Sequence, residues 1–167
     1  EIVLKSGLVI EKEDGSNTYD RFRGRVIFPI KDPHGYVIGF GGRSIVVGEN
    51  PKYLNSPETP LYQKSQVLFG MDVARQAIRK KDQAILVEGY LAQIRATQYG
   101  ILNTVAPRGT ALTSRQAGML RNYASSVVLV FDSDNAGRAA ADKGFDVLHE
   151  KGLQVKTVFL PEGQDPD

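Results

Sequence analysis

The hydrophobic positions fall into two patterns along the chain. From Ala84 onward, short apolar runs alternate with amphipathic stretches. Ala84-Ile-Leu-Val-Glu88 and Ser126-Val-Val-Leu-Val-Phe131 are unbroken runs of the buried-strand type. Ile101-Leu-Asn-Thr-Val105 and Gln154-Val-Lys-Thr-Val-Phe159 predict two more strands, the last ended by Pro161. Between them, residues 91–99, the stretch from a cap at Thr113 or Ser114 to Tyr123, and Ala-rich Asn135–Glu150 suit helices, the last stopped by Gly152. Strands alternating with helices of about 10–15 residues predict an α/β fold, a central parallel sheet flanked by helices on both faces.

The front of the chain has another texture. Arg25–Ile30 and Tyr36–Phe40 are short strand-like runs divided by the turn Asp32-Pro-His-Gly35. Residues 43–66 are polar and rich in Gly, Pro and Asn, which predicts a long ordered loop. Residues 69–81 suit a helix with Met71, Val73, Ala74 and Ile78 facing inward. The division expected is a small α+β lobe over 1–81 and an α/β domain over 82–167, with the joint between Gln66 and Asp82.

Composition narrows the chemistry. The chain of 167 residues has no cysteine, which removes disulfides, thiolate zinc sites and cysteine nucleophiles. With only His34 and His149, any metal is expected to be a hard cation held by carboxylates. No apolar run approaches the ~20 residues of a membrane span, so no membrane partner is expected. Starting at Glu1 and stopping at Asp167, the chain is expected to be a piece of a longer polypeptide.

Net charge is +2, unevenly spread. Residues 1–81 hold 13 Lys/Arg against 9 Asp/Glu, and residues 82–167 hold 8 against 10. A basic lobe beside a carboxylate cluster suits a protein that holds a polyanion over a metal, and it equally describes two solvated surfaces of opposite sign.

In an open parallel sheet, ligands collect at the carboxyl ends of the strands. Glu88 closes the first predicted strand of the back half, Asp132 and Asp134 close the third, and Asp165 and Asp167 follow the fourth. Together they could hold Mg²⁺ or Mn²⁺ for phosphoryl chemistry. Asp134 also reads as a helix N-cap, and Asp165 and Asp167 as turn residues. In the basic lobe Arg21, Arg23 and Arg25 alternate, so a strand would carry them on one face. Arg43, Lys52 and Lys64 lie in or beside the polar loop with Tyr53 and Asn55, a mixture suited to nucleotide or single-strand contact. Arg138 either points to a phosphate near the metals or covers the first helical turn.

Three basic-lobe segments, Tyr19-Asp-Arg-Phe-Arg-Gly-Arg-Val-Ile-Phe-Pro29, Gly35-Tyr-Val-Ile-Gly-Phe-Gly-Gly-Arg43 and Pro51-Lys-Tyr-Leu-Asn-Ser-Pro-Glu-Thr59, resemble the RNA-polymerase core of bacterial DnaG-type primases. Val87-Glu-Gly-Tyr90, Phe131-Asp-Ser-Asp-Asn-Ala-Gly137 and Phe159-Leu-Pro-Glu-Gly-Gln-Asp-Pro-Asp167 are similar to the three Toprim motifs of that family. The Toprim part alone also fits topoisomerases and some nucleases.

The resemblance implies a nucleotidyltransferase that makes short RNA primers on a single-stranded DNA template from NTPs, with Mg²⁺ or Mn²⁺ and no zinc in this segment. It implies a cytoplasmic location at the bacterial replication fork, and a replicative helicase bound through a region outside this chain. Glu88 would be an acid/base or metal-proximal carboxylate, with Asp132, Asp134, Asp165 and Asp167 holding metals. Arg43, Lys52 and Lys64 would serve nucleotide phosphates and template, with Asn55 in the same loop. The alternative is a non-catalytic module that holds single-stranded DNA or a nucleotide. One departure stands out: the family pattern Glu-Gly-Tyr-x-Asp has Ala92 at its last place, a position expected over the catalytic edge. Gln93, about 100° further round a helix, is a poor substitute.

Overall fold

A computed structural model describes residues 1–107, 111–132 and 134–161. Two compact units divide the chain: Glu1–Lys31 with Tyr36–Gln63, and Asp32–Gly35 with the residues from Lys64 onward.

In the first unit, a short helix α1 (Ile2–Lys5) precedes the antiparallel hairpin of β1 (Val9–Glu11) and β2 (Thr18–Asp20). A second antiparallel sheet has the order β3-β4-β5, made of β3 (Arg25–Lys31), β4 (Val37–Ser44) and β5 (Tyr53–Asn55). The β3–β4 hairpin is the one the two strand-like runs predict. However, β4 continues to Ser44, and β5 lies inside the segment predicted to be loop. The extension escapes the hydrophobic pattern because it opens on Gly41 and Gly42, adjacent positions that leave both faces of the strand without a side chain there. A Cβ on Gly42 would sit 2.9 Å from the Phe22 ring and 3.0 Å from Arg25 Cδ, so neighbouring side chains already fill that space. Ile30 and Tyr62 are fully buried at the centre of this unit.

The alternating arginines do not share a strand face. The segment 21–24 is a turn in which Gly24 takes φ +61, so β2 ends before Arg21 and β3 begins only at Arg25. Arg21 Nε donates to the Asn55 carbonyl at 3.2 Å, and the Arg23 guanidinium lies 4.6 Å from the Tyr19 ring centre. Arg25 is withdrawn toward Glu49 at 3.8 Å and donates to the Lys52 carbonyl at 3.3 Å.

The second unit follows the predicted α/β alternation. After a 3-10 turn (Lys64–Gln66) come α2 (Met71–Lys81), β6 (Gln83–Val87), α3 (Tyr90–Gln98), β7 (Thr104–Val105), α4 (Ser114–Arg121), β8 (Ser126–Phe131), α5 (Asn135–Glu150) and β9 (Gln154–Phe159). The four strands are all parallel, in the order β7-β6-β8-β9. Ala84, Leu86, Val127 and Leu129 project from one face into the main core with Met71, Ala74 and Ile78 of α2, Leu120 of α4 and Leu148 of α5. Val87 on the other face packs with Ala92 of α3 and Ala106. Val73 is 58% exposed, against the prediction, because the buried stripe of α2 runs through Met71, Ala74 and Ile78 at i, i+3 and i+7. The compact units part between Gln63 and Lys64, ahead of the joint expected at 66–82, because α2 packs on β6 and β7.

Two polar devices fasten this unit. Thr113 and Gln116 form a capping box at α4, and Gln116 Nε2 also donates to the carbonyls of Lys64 at 3.1 Å and Val67 at 2.8 Å. Asp82 ends α2 with φ +51, and its carboxylate accepts from the Ser125 amide at 2.7 Å and from the Ser125 hydroxyl. These Ser125 hydrogen bonds, with the charge of Arg121 as a smaller cause, hold the Asp82 carboxyl below the ordinary carboxylate range. A carboxyl with a depressed folded pKa stabilises the fold above its unfolded pKa, and that contribution disappears as pH falls through the folded value. Asp82→Asn should therefore melt below the parent by a margin that is constant near neutrality and shrinks on acidification below about pH 4. Thermal melts of both proteins across pH measure that margin.

Candidate active site

Strand order decides where the site lies. From β6 the chain crosses outward to β7 on one side, and β8 then returns to the other side of β6. The sheet therefore has its topological switch point between β6 and β8, where the following loops part and leave a crevice. Val87 and Val130 are register partners there, so the residues following the two strands emerge side by side. They are Glu88 and Asp132. The Asp132 amide donates to Glu88 Oε1 at 3.0 Å, which ties the two strand ends together. The Glu88 side chain is exposed and Asp132 is half-buried.

Helix α5 closes this corner. Asp134 is its N-cap, and Asp134 Oδ1 accepts from the Gly137 amide at 2.6 Å. A Cβ at Gly137 would collide with the Asp132 carbonyl oxygen and lie 2.9 Å from Glu88 Oε1. Glycine at 137 is thus what lets the first turn of α5 press against both carboxylate-bearing strand ends. The positive end of that helix then lies beside an anionic corner. A cavity of about 380 Å³ opens there, with Glu88 and Lys143 among its lining residues and Phe131 and Ala140 giving it apolar wall. Sequence reading missed the role of Gly137, although a glycine in the first turn of a helix, where propensity disfavours it, is a usable signal.

The other sequence-derived residues are placed as follows. Asp165 and Asp167 lie outside the described residues. Among the described residues, no group of three or more His, Asp or Glu side chains is close enough to hold a metal ion. The Arg138 guanidinium lies 4.8 Å from the Phe159 ring centre. In the first unit, Arg43 on β4 is the register partner of Tyr53 on β5. The Tyr53 ring has the Arg43 guanidinium at 5.8 Å and the Lys52 ammonium at 5.7 Å. Asn55 pairs with Gly41, and its carbonyl anchors Arg21. Lys64, in the second unit, is half-buried in the 3-10 turn, where its carbonyl accepts from Gln116.

Ala92 is 3% exposed and packs against Ala106 and Val87, the last residue of β6 and the one before Glu88. Gln93 is also buried, and its Nε2 donates to Thr97 Oγ1 at 3.0 Å and the Thr104 carbonyl at 3.2 Å. That amide fastens α3 to β7.

A parallel sheet with carboxylates at the ends of its central strands places the second unit in the Toprim-like class, and a Toprim-like family model matches residues 85–167. A model described as the DNA primase catalytic core, N-terminal domain, matches residues 1–75. The chain is 47% identical to the DNA primase of Halalkalibacterium halodurans over 163 residues, 98% of this chain and 27% of that protein. It is 48% identical to the DNA primase of Clostridium acetobutylicum over 99% of this chain and 27% of that protein. Among solved structures, the zinc-binding and RNA polymerase domains of Aquifex aeolicus primase superpose with a TM-score of 0.92 at 44% identity, covering 98% of this chain and 40% of that one. A DnaG primase catalytic domain bound to ssDNA superposes at 0.88 with 39% identity, covering 99% of this chain and 54% of that one. The chain belongs to the bacterial DnaG-type DNA primase family and spans about a quarter of the length of these curated relatives.

The Gly137 contact makes a paired prediction. Gly137→Ala should destabilise the protein by about 1–3 kcal/mol, because the new methyl cannot enter without moving the Asp132 backbone. Gly144→Ala in the same helix meets nothing closer than Leu129 Cδ1 at 3.6 Å and should be neutral or stabilising by up to about 1 kcal/mol. Urea denaturation of the two variants and the parent compares them directly.

Proposed function

We propose that this chain carries out template-directed synthesis of short RNA primers on single-stranded DNA, by nucleotidyl transfer that depends on Mg²⁺ or Mn²⁺. The observation that carries the reading is the hydrogen-bonded junction of Glu88 and Asp132 at the switch point of the sheet. Those donors are oxygens of hard-cation type, and a chain without cysteine offers no thiolate for zinc. Glu88 and Asp132, with Asp134, Asp165 and Asp167 joining them, would hold the metal. When bound, the metal would polarise phosphoryl oxygens and neutralise charge developing on attacking and leaving oxygens.

The residues of this chain have separable tasks in that scheme. The Asp132 amide fixes one oxygen of Glu88, and the carboxylate so oriented would meet a ligand or take a proton. Gly137 lets the helix terminus approach, so incoming negative charge meets backbone amides as well as a cation. Arg43 and Lys52, grouped at Tyr53, would bind phosphates of an NTP or of the template while the ring offers a stacking surface. Arg21 and Arg23 would add to the same electrostatic attraction, with Asn55 holding Arg21 in place, and Lys64 of the second unit would contact phosphate as well. The partners are a single-stranded DNA template, NTPs and the growing RNA primer. A replicative helicase would be engaged through parts of the relatives that this chain does not span. The setting would be the bacterial cytoplasm at the replication fork. Among the described residues, no helix is long and apolar enough to cross a membrane.

A second reading is favoured by two observations: Ala92 is packed in apolar surroundings, and Asp134 is already used as a helix cap. In that reading the chain holds single-stranded DNA or a nucleotide without chemistry. Incubation with a single-stranded template, labelled NTPs and Mn²⁺, followed by a denaturing gel, separates the two. The primase reading predicts a low yield of template-dependent oligoribonucleotides, reduced at least a hundredfold by Glu88→Gln. No product at any metal concentration, with DNA binding that persists in EDTA, would establish the second reading.

A further inference from the structure

The loop between β4 and β5 carries an apolar tip that the site described above does not use. Ile45, Val46 and Val47 are 68%, 56% and 100% exposed. Three consecutive β-branched apolar residues in water are unusual in a loop otherwise made of Gly, Glu, Asn and Pro. The loop is not slack. Its base is closed by the Ser44 amide donating to the Lys52 carbonyl at 2.9 Å and the Ile45 amide donating to the Gly24 carbonyl at 3.0 Å. Ser44 Oγ accepts from the Val46 amide at 3.0 Å and donates to the Glu49 carboxylate. Glu49 in turn faces Arg25, so the one acidic group of the loop is partly neutralised from behind. The tip is therefore held out as a fixed apolar projection.

What stands beside it indicates the occupant. Arg43 and Lys52 bracket the loop, and both lie within 5.8 Å of the Tyr53 ring centre, with Tyr53 itself 38% exposed. Cations for phosphates, an aromatic face for one base and aliphatic side chains for the next are the ingredients of a single-strand platform. An uncharged protein groove would match the tip but leave both cations without a counterpart.

We infer that Ile45 and Val47 form an apolar contact for the unstacked bases of a single-stranded nucleic acid, continuous with the Arg43–Lys52–Tyr53 group. The inference rests on the nucleic-acid reading above and adds a binding element to it. Because it is apolar, the contact releases no counterions, so it contributes affinity without contributing to salt dependence.

Fluorescence anisotropy with a labelled single-stranded oligodeoxythymidylate, repeated over a series of salt concentrations, tests this. The double variant Ile45→Ser/Val47→Ser removes only exposed side chains, and a thermal melt verifies that it remains folded. Its Kd should rise about three- to tenfold, with the slope of log K against log salt unchanged. Val47→Phe should bind at least as tightly as the parent, and Lys52→Ala should reduce the slope by about one. Parent-like affinity of the double Ser variant, with Lys52→Ala weakened, would overturn the apolar contact and leave the nucleic-acid reading standing. A loss of affinity accompanied by a smaller salt slope would overturn it as well. No binding by the parent would remove both.

Discussion

The Asp132 amide donating to Glu88 Oε1 is the interaction on which the candidate site depends. A parallel sheet with the order β7-β6-β8-β9 must open a crevice between β6 and β8, and the residues leaving those strands are a glutamate and an aspartate. Left alone, two adjacent carboxylates repel. Here the backbone of one is a donor to the side chain of the other, and the N-terminus of α5 is brought against both. That close approach is possible because position 137 has no side chain. One hydrogen bond, one glycine and one helix terminus thereby turn a sheet edge into a stable anionic corner.

The first unit divides its cations between inward and outward roles. Arg25 is spent inward on Glu49 and a carbonyl, and Arg21 on the Asn55 carbonyl. Arg43 and Lys52 instead gather at an aromatic ring, a contact that leaves their charge available to a phosphate. The short strands and glycine-rich β4 keep this surface compact. The same sheet projects the apolar loop tip beside it.

Much of this was legible in the sequence where burial imposes a simple pattern. The limits of β8 match its apolar run, and α5 starts at the residue after its acidic cap. Glu88 and Asp132 could be singled out because a parallel sheet places strand ends on one edge. Other features left no periodic signal. Strands β1, β2 and β5 have three residues each, too few to alternate visibly, and the far half of β4 is hidden by its glycines. The alternation of Arg21, Arg23 and Arg25 suggested a strand, but Gly24 at positive φ breaks it. The contact of Ala92 with Val87 and Ala106 depends on the rotation of α3 about its axis, which packing sets and local sequence does not.

The central claim is that the strand-end carboxylates form a divalent-cation site. The most direct test is calorimetric titration of the chain with Mn²⁺ beside Asp132→Asn/Asp134→Asn, with both proteins shown to be folded at the titration temperature. Saturable binding by the parent, abolished in the double variant, is the result this account predicts. Equal binding by the two proteins, or none by the parent, would contradict it and reduce these residues to strand-end turns and a helix cap.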